Sequence, residues 1–131
     1  MMKTLITIFS FWLFANLAIC QSSLINSDDD AVITWENDIH DFGKIKKNKP
    51  VSVSYGFKND GLIPILITSV ESSCGCTVPE YPRTPVKPLH SSEIIATYDA
   101  KTLGVFSKSI SVKTNASEKP KVLILKGEVI Q

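Results

Sequence analysis

The sequence predicts an all-β domain, a two-layer antiparallel β-sandwich of about seven strands over residues 31–131. Three observations lead there. Apolar and polar residues alternate with period two in several short stretches, and clusters of Gly, Pro, Asn, Asp and Ser punctuate those stretches at the spacing of a sandwich. After the amino-terminal leader, no stretch carries the apolar spacing of a helix.

The elements follow in order. Ala31 to Trp35 and a short piece from Ile39 to Phe42 open the domain. Val51-Ser52-Val53-Ser54-Tyr55-Gly56-Phe57-Lys58 is the clearest strand, with Val51, Val53, Tyr55 and Phe57 on one face and Ser52, Ser54 and Lys58 on the other. Asn59-Asp60-Gly61 supplies turn chemistry, with Gly61 free to adopt a positive φ. Pro64 to Val70 follows as a β-branched run, and Pro64, which cannot donate to a ladder, belongs at its start or on an edge. Pro79, Pro82, Pro85 and Pro88 recur at every third position, which predicts an extended crossover between sheets rather than a ladder strand. Ile94 to Tyr98, Phe106 to Val112 and Lys121 to Val129 complete the set, and Gly127 reads as a bulge in the last strand. Asn115-Ala116-Ser117 forms a glycosylation triplet but reads as a turn.

The first 20 residues read as a secretory signal: Met1-Met2-Lys3 is a short positive start, and Thr4 to Cys20 carries no charge. Thr7, Ser10 and Asn16 interrupt this apolar stretch, which favours cleavage over a spanning anchor. Ala18-Ile19-Cys20 offers small residues to a signal peptidase, while Leu17-Ala18-Ile19-Cys20 half-matches a lipobox and makes Cys20 a candidate lipidation residue. Residues 21–30, with Asp28-Asp29-Asp30, read as a solvated linker that lacks the spaced ligands and glycine of a calcium loop. The expected location is therefore outside the cytoplasm, in the periplasm, at the cell surface or beyond.

Charge narrows the partners. Removing Lys3 with the signal leaves 13 Lys and Arg against 13 Asp and Glu, a balance that gives no electrostatic pull toward nucleic acid or an acidic membrane. The lysines at 44, 46, 47 and 49 read as a solvated turn. No Ser, His and Asp arrangement, phosphate loop or paired-acid motif suggests catalysis, and no cofactor is expected.

Cys74-Gly75-Cys76 is the one motif that bears on chemistry. Residues i and i+2 of an extended strand lie about 6.6–6.8 Å apart, the upper limit for a disulfide. A bend at Gly75 closes that gap. Three readings stay open: an exchangeable redox disulfide, a thiolate pair for a soft ion such as Cu(I), or an inert pair that packs or pins the exit of the preceding strand. His40 and His90 are the available nitrogen donors, and neither has helpful spacing to the pair.

Taken together, His40-Asp41-Phe42-Gly43-Lys44-Ile45, Phe57-Lys58-Asn59-Asp60-Gly61, Pro64-Ile65, Ser73-Cys74-Gly75-Cys76-Thr77, Gly104-Val105-Phe106-Ser107-Lys108 and Lys126-Gly127-Glu128-Val129 resemble domain-of-unknown-function family 1573. The resemblance spans about Trp35 to Val129. It implies an immunoglobulin-like sandwich related to major sperm protein-like domains, an exported bacterial context and a recurring Cys-Gly-Cys, but no established biochemical role. One departure stands out: Pro88-Leu89-His90 occupies a turn where the family usually has Pro-Gly. The functional expectation is an exported, non-catalytic module that binds another envelope protein or organises the envelope, with a thiol redox or copper-handling protein as the alternative.

Overall fold

The computed structural model describes residues 31–131. The expected signal at 1–20, the linker at 21–30 and Cys20 lie outside the described residues. The described residues form eight strands: β1 (Ile33–Trp35), β2 (Ile39–Lys46), β3 (Val51–Asn59), β4 (Ile67–Ser72), β5 (Thr77–Glu80), β6 (Ser91–Tyr98), β7 (Gly104–Thr114) and β8 (Ser117–Ile130). They make two four-stranded sheets, ordered β1-β3-β6-β5 and β2-β8-β7-β4. The all-β sandwich expected from the alternation is present.

The alternation sets what each sheet buries. Tyr55 and Phe57 of β3, Ile94 and Ala96 of β6, Ile110 and Val112 of β7, and Leu123 and Leu125 of β8 point inward and are buried. Aromatic contacts reinforce this core. Tyr98 of one sheet stacks on Phe106 of the other at 4.1 Å, and Trp35 tilts onto Phe57 at 5.0 Å. The Tyr55 hydroxyl crosses the core and donates to the Ile124 carbonyl at 2.8 Å, so its one polar atom is satisfied.

Three features depart from the sequence reading. The fourfold proline segment begins with a true ladder strand, because Thr77 to Glu80 pairs with β6, with Pro79 opposite Ala96. β5 is the outer strand of its sheet, where a residue without an N–H is tolerated. The pairing of β2 with β8 is parallel, so the second sheet is mixed. The bulge also lies elsewhere: Asp41 faces Lys126 and Lys44 faces Glu128, which leaves Phe42 and Gly43 of β2 opposite the single residue Gly127. Gly43 takes φ 66°, and a Cβ at Gly127 would lie 2.8 Å from the Gly43 carbonyl oxygen and 3.0 Å from the Phe106 ring. Gly61 does not use its freedom; the left-handed positions include Leu89 instead.

Two corners carry the chain from one sheet to the other. Between β1 and β2 the switch is held by the Glu36 N–H donating to the Gly56 carbonyl at 3.0 Å and the Ile124 N–H donating to the Asp38 carbonyl at 2.7 Å. Lys121 adds a 2.9 Å ion pair to Asp38. Between β4 and β5 the switch is the Ser72–Thr77 segment, which contains both described cysteines.

Candidate functional site

The Cys-Gly-Cys turn is anchored on both sides before its own bond is considered. The Ser73 N–H donates to the Ser109 carbonyl at 2.8 Å, and the Ser109 N–H donates to the Ser73 Oγ at 3.1 Å, which fastens the entry to β7. The Asp99 N–H donates to the Cys76 carbonyl at 3.0 Å, which fastens the exit beside β6. Within the turn, the Ser72 hydroxyl donates to the Cys74 carbonyl at 2.7 Å. The bend brings the two Cα atoms to 5.3 Å, and Cys74 and Cys76 form a disulfide.

Both cysteines are half-buried, and Cys76 packs against the edge of the core. The Thr77 hydroxyl, on a residue 2% exposed, lies 3.8 Å from the Cys74 Sγ. The position where a Gly75 side chain would project is open, with nothing within 4 Å. Bridged sulfurs offer no thiolate, so soft-metal binding here requires prior reduction of the bond by two electrons. Neither histidine joins the pair. His40 lies on β2, at the opposite edge of the sheet from β4, with its ring edge on Phe42 at 4.5 Å. His90 precedes β6, at the far end from Tyr98, and its Nδ1 sits 3.0 Å from the Pro88 carbonyl oxygen. Among the described residues, no group of three or more His, Cys, Asp and Glu side chains is placed to hold a metal ion.

Two further surfaces escaped the sequence reading. An open cleft of about 370 Å³ lies between β1 and the β7–β8 hairpin, lined by Ile33, Trp35, Val112, Ala116 and Pro120, with the exposed Lys119 beside them. β1 is an edge strand, so one side of its backbone is unpaired. The second surface is the end of the sandwich organised by Asn59, which is fully buried. Its amide donates to the carbonyls of Ile63 at 2.8 Å and Val86 at 2.9 Å, and its Oδ1 accepts from the Gly61 N–H at 3.0 Å. Its backbone N–H donates to His90, and its carbonyl accepts from Leu89 at 2.7 Å. The sequence marks Asn59 as a turn former but gives no sign that one side chain gathers two distant loops.

Burial acts on the core tyrosines. It pushes the Tyr55 hydroxyl up to about 12 and raises that of Tyr98, with Asp99 adding to the latter. At the β1–β2 corner, the Lys121 hydrogen bond and charge hold Asp38 below the usual carboxylate range.

Residues 33–129 match the family model described as "Protein of unknown function (DUF1573)". The chain belongs to this family. No curated protein sequence matches it. Among solved structures, the DUF1573 chain is similar to a protein of unknown function from Porphyromonas gingivalis W83, at 19% identity and a TM-score of 0.66. That match covers 75% of this chain and 46% of the other, so the chain spans about half the length of that relative. It is also similar to PapD-like domain 7 of human CEP192, at 10% identity and a TM-score of 0.62, covering 76% of this chain and 85% of that one. A third likeness is to the secreted serine protease VesC from Vibrio cholerae, at 10% identity and a TM-score of 0.59, covering 78% of this chain and 24% of that one. At such identities the likeness establishes the immunoglobulin-like and PapD-like fold alone.

Proposed function

We propose that the chain is an exported, non-catalytic module that binds an extended segment of another envelope protein. The observation that carries this reading is the apolar cleft beside the unpaired edge of β1. A partner strand adds its backbone to that edge while alternate side chains enter the cleft against Trp35 and Val112. Export rests on the uncharged apolar leader that precedes the domain. A photocrosslinking residue placed at Val32 or Pro120 in the expressed chain tests the binding. The expected result is a discrete adduct with one envelope protein, absent when the same group replaces Thr102. Equal labelling at all three positions, or no adduct, contradicts it.

A second reading, thiol exchange at Cys74–Cys76, is favoured by the formed bridge at an approachable corner. A thiolate of a partner dithiol attacks one sulfur, forming a mixed disulfide and releasing the other sulfur as a thiolate. The second partner thiol then attacks the partner's own sulfur, so the partner is oxidised by two electrons and this pair is reduced. Titration of free thiols after incubation with a small dithiol tests this. A bridge that opens in the folded protein supports exchange, and one that opens only in denaturant removes it.

A further inference from the structure

The Asn59 end of the sandwich exposes an unusual amount of apolar surface. Leu62 is 77% exposed, Leu89 73%, Ile63 39% and Leu66 37%. They lie on loops that are fixed rather than loose. Asn59 joins the loop of Leu62 and Ile63 to that of Leu89, and Asn115 holds Leu66 by three bonds: its Oδ1 accepts from the Leu66 N–H, its amide donates to the Pro64 carbonyl and its backbone N–H donates to the Leu66 carbonyl.

Leu89 is the most telling residue of the four. The His90 N–H donates to the Lys87 carbonyl at 3.1 Å, which closes a turn with Leu89 at its third position and φ at 64°. That place in a turn favours glycine, and a left-handed conformation costs a side-chain-bearing residue about 1–2 kcal/mol. A leucine this exposed recovers little of that by packing within the fold. Neither the backbone nor the core rewards it, which points to contact with something outside the chain.

The path of the chain identifies what that is. The Asp60 N–H donates to the Val32 carbonyl at 2.9 Å and Ile33 pairs with Asn59, so the chain enters the domain at this same end. Just before Ala31, the sequence places residues 21–30, whose extended reach is at most about 36 Å, and before them the apolar leader and Cys20. A chain held in a bilayer by its leader, or by a lipid on Cys20, has this end closest to the membrane. The charges here do not call for acidic lipid, because Lys58 is already paired with Asp60 at 2.9 Å.

We propose that this end is a membrane-resting surface, on which Leu62, Ile63, Leu66 and Leu89 enter the interfacial layer of a zwitterionic bilayer and fix the orientation of the sandwich. The proposal rests on the export reading, but the two are separable by experiment. Full-length chains in a Trp12→Phe background, each carrying Leu62→Trp, Leu89→Trp or Val105→Trp, are mixed with phosphatidylcholine vesicles. Their fluorescence is then quenched by brominated lipid, and the shared Trp35 signal is subtracted using the background chain. Val105, 85% exposed at the opposite end of β7, is the control. Quenching at positions 62 and 89 should exceed that at 105 by at least about twofold, as befits side chains about 5–10 Å into the interface. Chains that float with the vesicles but show equal or no quenching at the three positions overturn the surface and leave export standing. Chains that fail to float overturn both. A dimer in the absence of lipid that dissociates on Leu62→Ser assigns the patch to a second copy and also overturns the proposal.

Discussion

At the Asn59 end, loops distant in sequence converge on one buried side-chain amide, whereas at the β4–β5 corner a single turn is closed by a covalent bond. The weaker kind of bond does the larger structural task. Asn59 satisfies two carbonyls and an N–H that would otherwise be buried without partners, and its backbone fixes the turn bearing Leu89. The disulfide closes a loop of three residues, too short to restrain the unfolded chain much, between flanks already fastened to Ser109 and Asp99. A covalent bond that the fold does not need is free for chemistry, and a buried amide that it does need gives the exposed leucines a rigid base.

The sharpest break of this comparison is Asn59→Ala. It should lower unfolding free energy by about 3 kcal/mol, since each abandoned buried group costs about 1–3 kcal/mol, and urea titration measures it. Cys74→Ser combined with Cys76→Ser should cost under about 2 kcal/mol on the loop-entropy estimate, with the strand signature of circular dichroism retained. Leu89→Gly should raise stability by up to about 1 kcal/mol, the relief of left-handed strain being partly offset by the greater freedom of glycine in the unfolded chain. Gly75→Ala should change stability by less than about 0.5 kcal/mol, as for other surface substitutions, because its added methyl meets open space and its φ is not left-handed.

Alkaline pH probes the core independently of both regions. The hydroxyl of Tyr55 is raised in the fold to about 12 from a value of 10.0, so its protonated form is favoured by folding. Its contribution is fully present below pH 10 and is lost as pH rises toward 12. A Tyr55→Phe protein should lose part of that alkaline decline in a pH series of thermal melts.

Much of the fold is legible in the sequence because period-two patterning is local. Val51 to Phe57 shows its buried face directly, and so do Leu123 and Leu125. Pairing is not local, which is why the parallel alignment of β2 with β8 left no mark. Glycine spacing likewise cannot say which strand carries an extra residue, so the bulge read at Gly127 lies across from it at Phe42 and Gly43. Thr77 to Glu80 was hidden by its prolines, although an edge strand tolerates Pro79. At the candidate site, the cysteine pair and the bend were legible, because both depend on adjacent residues. The clasp between Ser73 and Ser109 spans 36 positions and was not. Leu89 was visible only as a departure from the glycine of the family it resembles, and its meaning required the backbone angle.

The most direct test sets the two regions against each other in one experiment: urea unfolding of Asn59→Ala beside the Cys74→Ser and Cys76→Ser double variant, both against the parent chain in oxidising buffer. A larger loss in the asparagine variant, with the cysteine variant still melting cooperatively, is the predicted result. A cysteine variant that loses as much or more would show that the bridge holds the sandwich together, and would contradict the account.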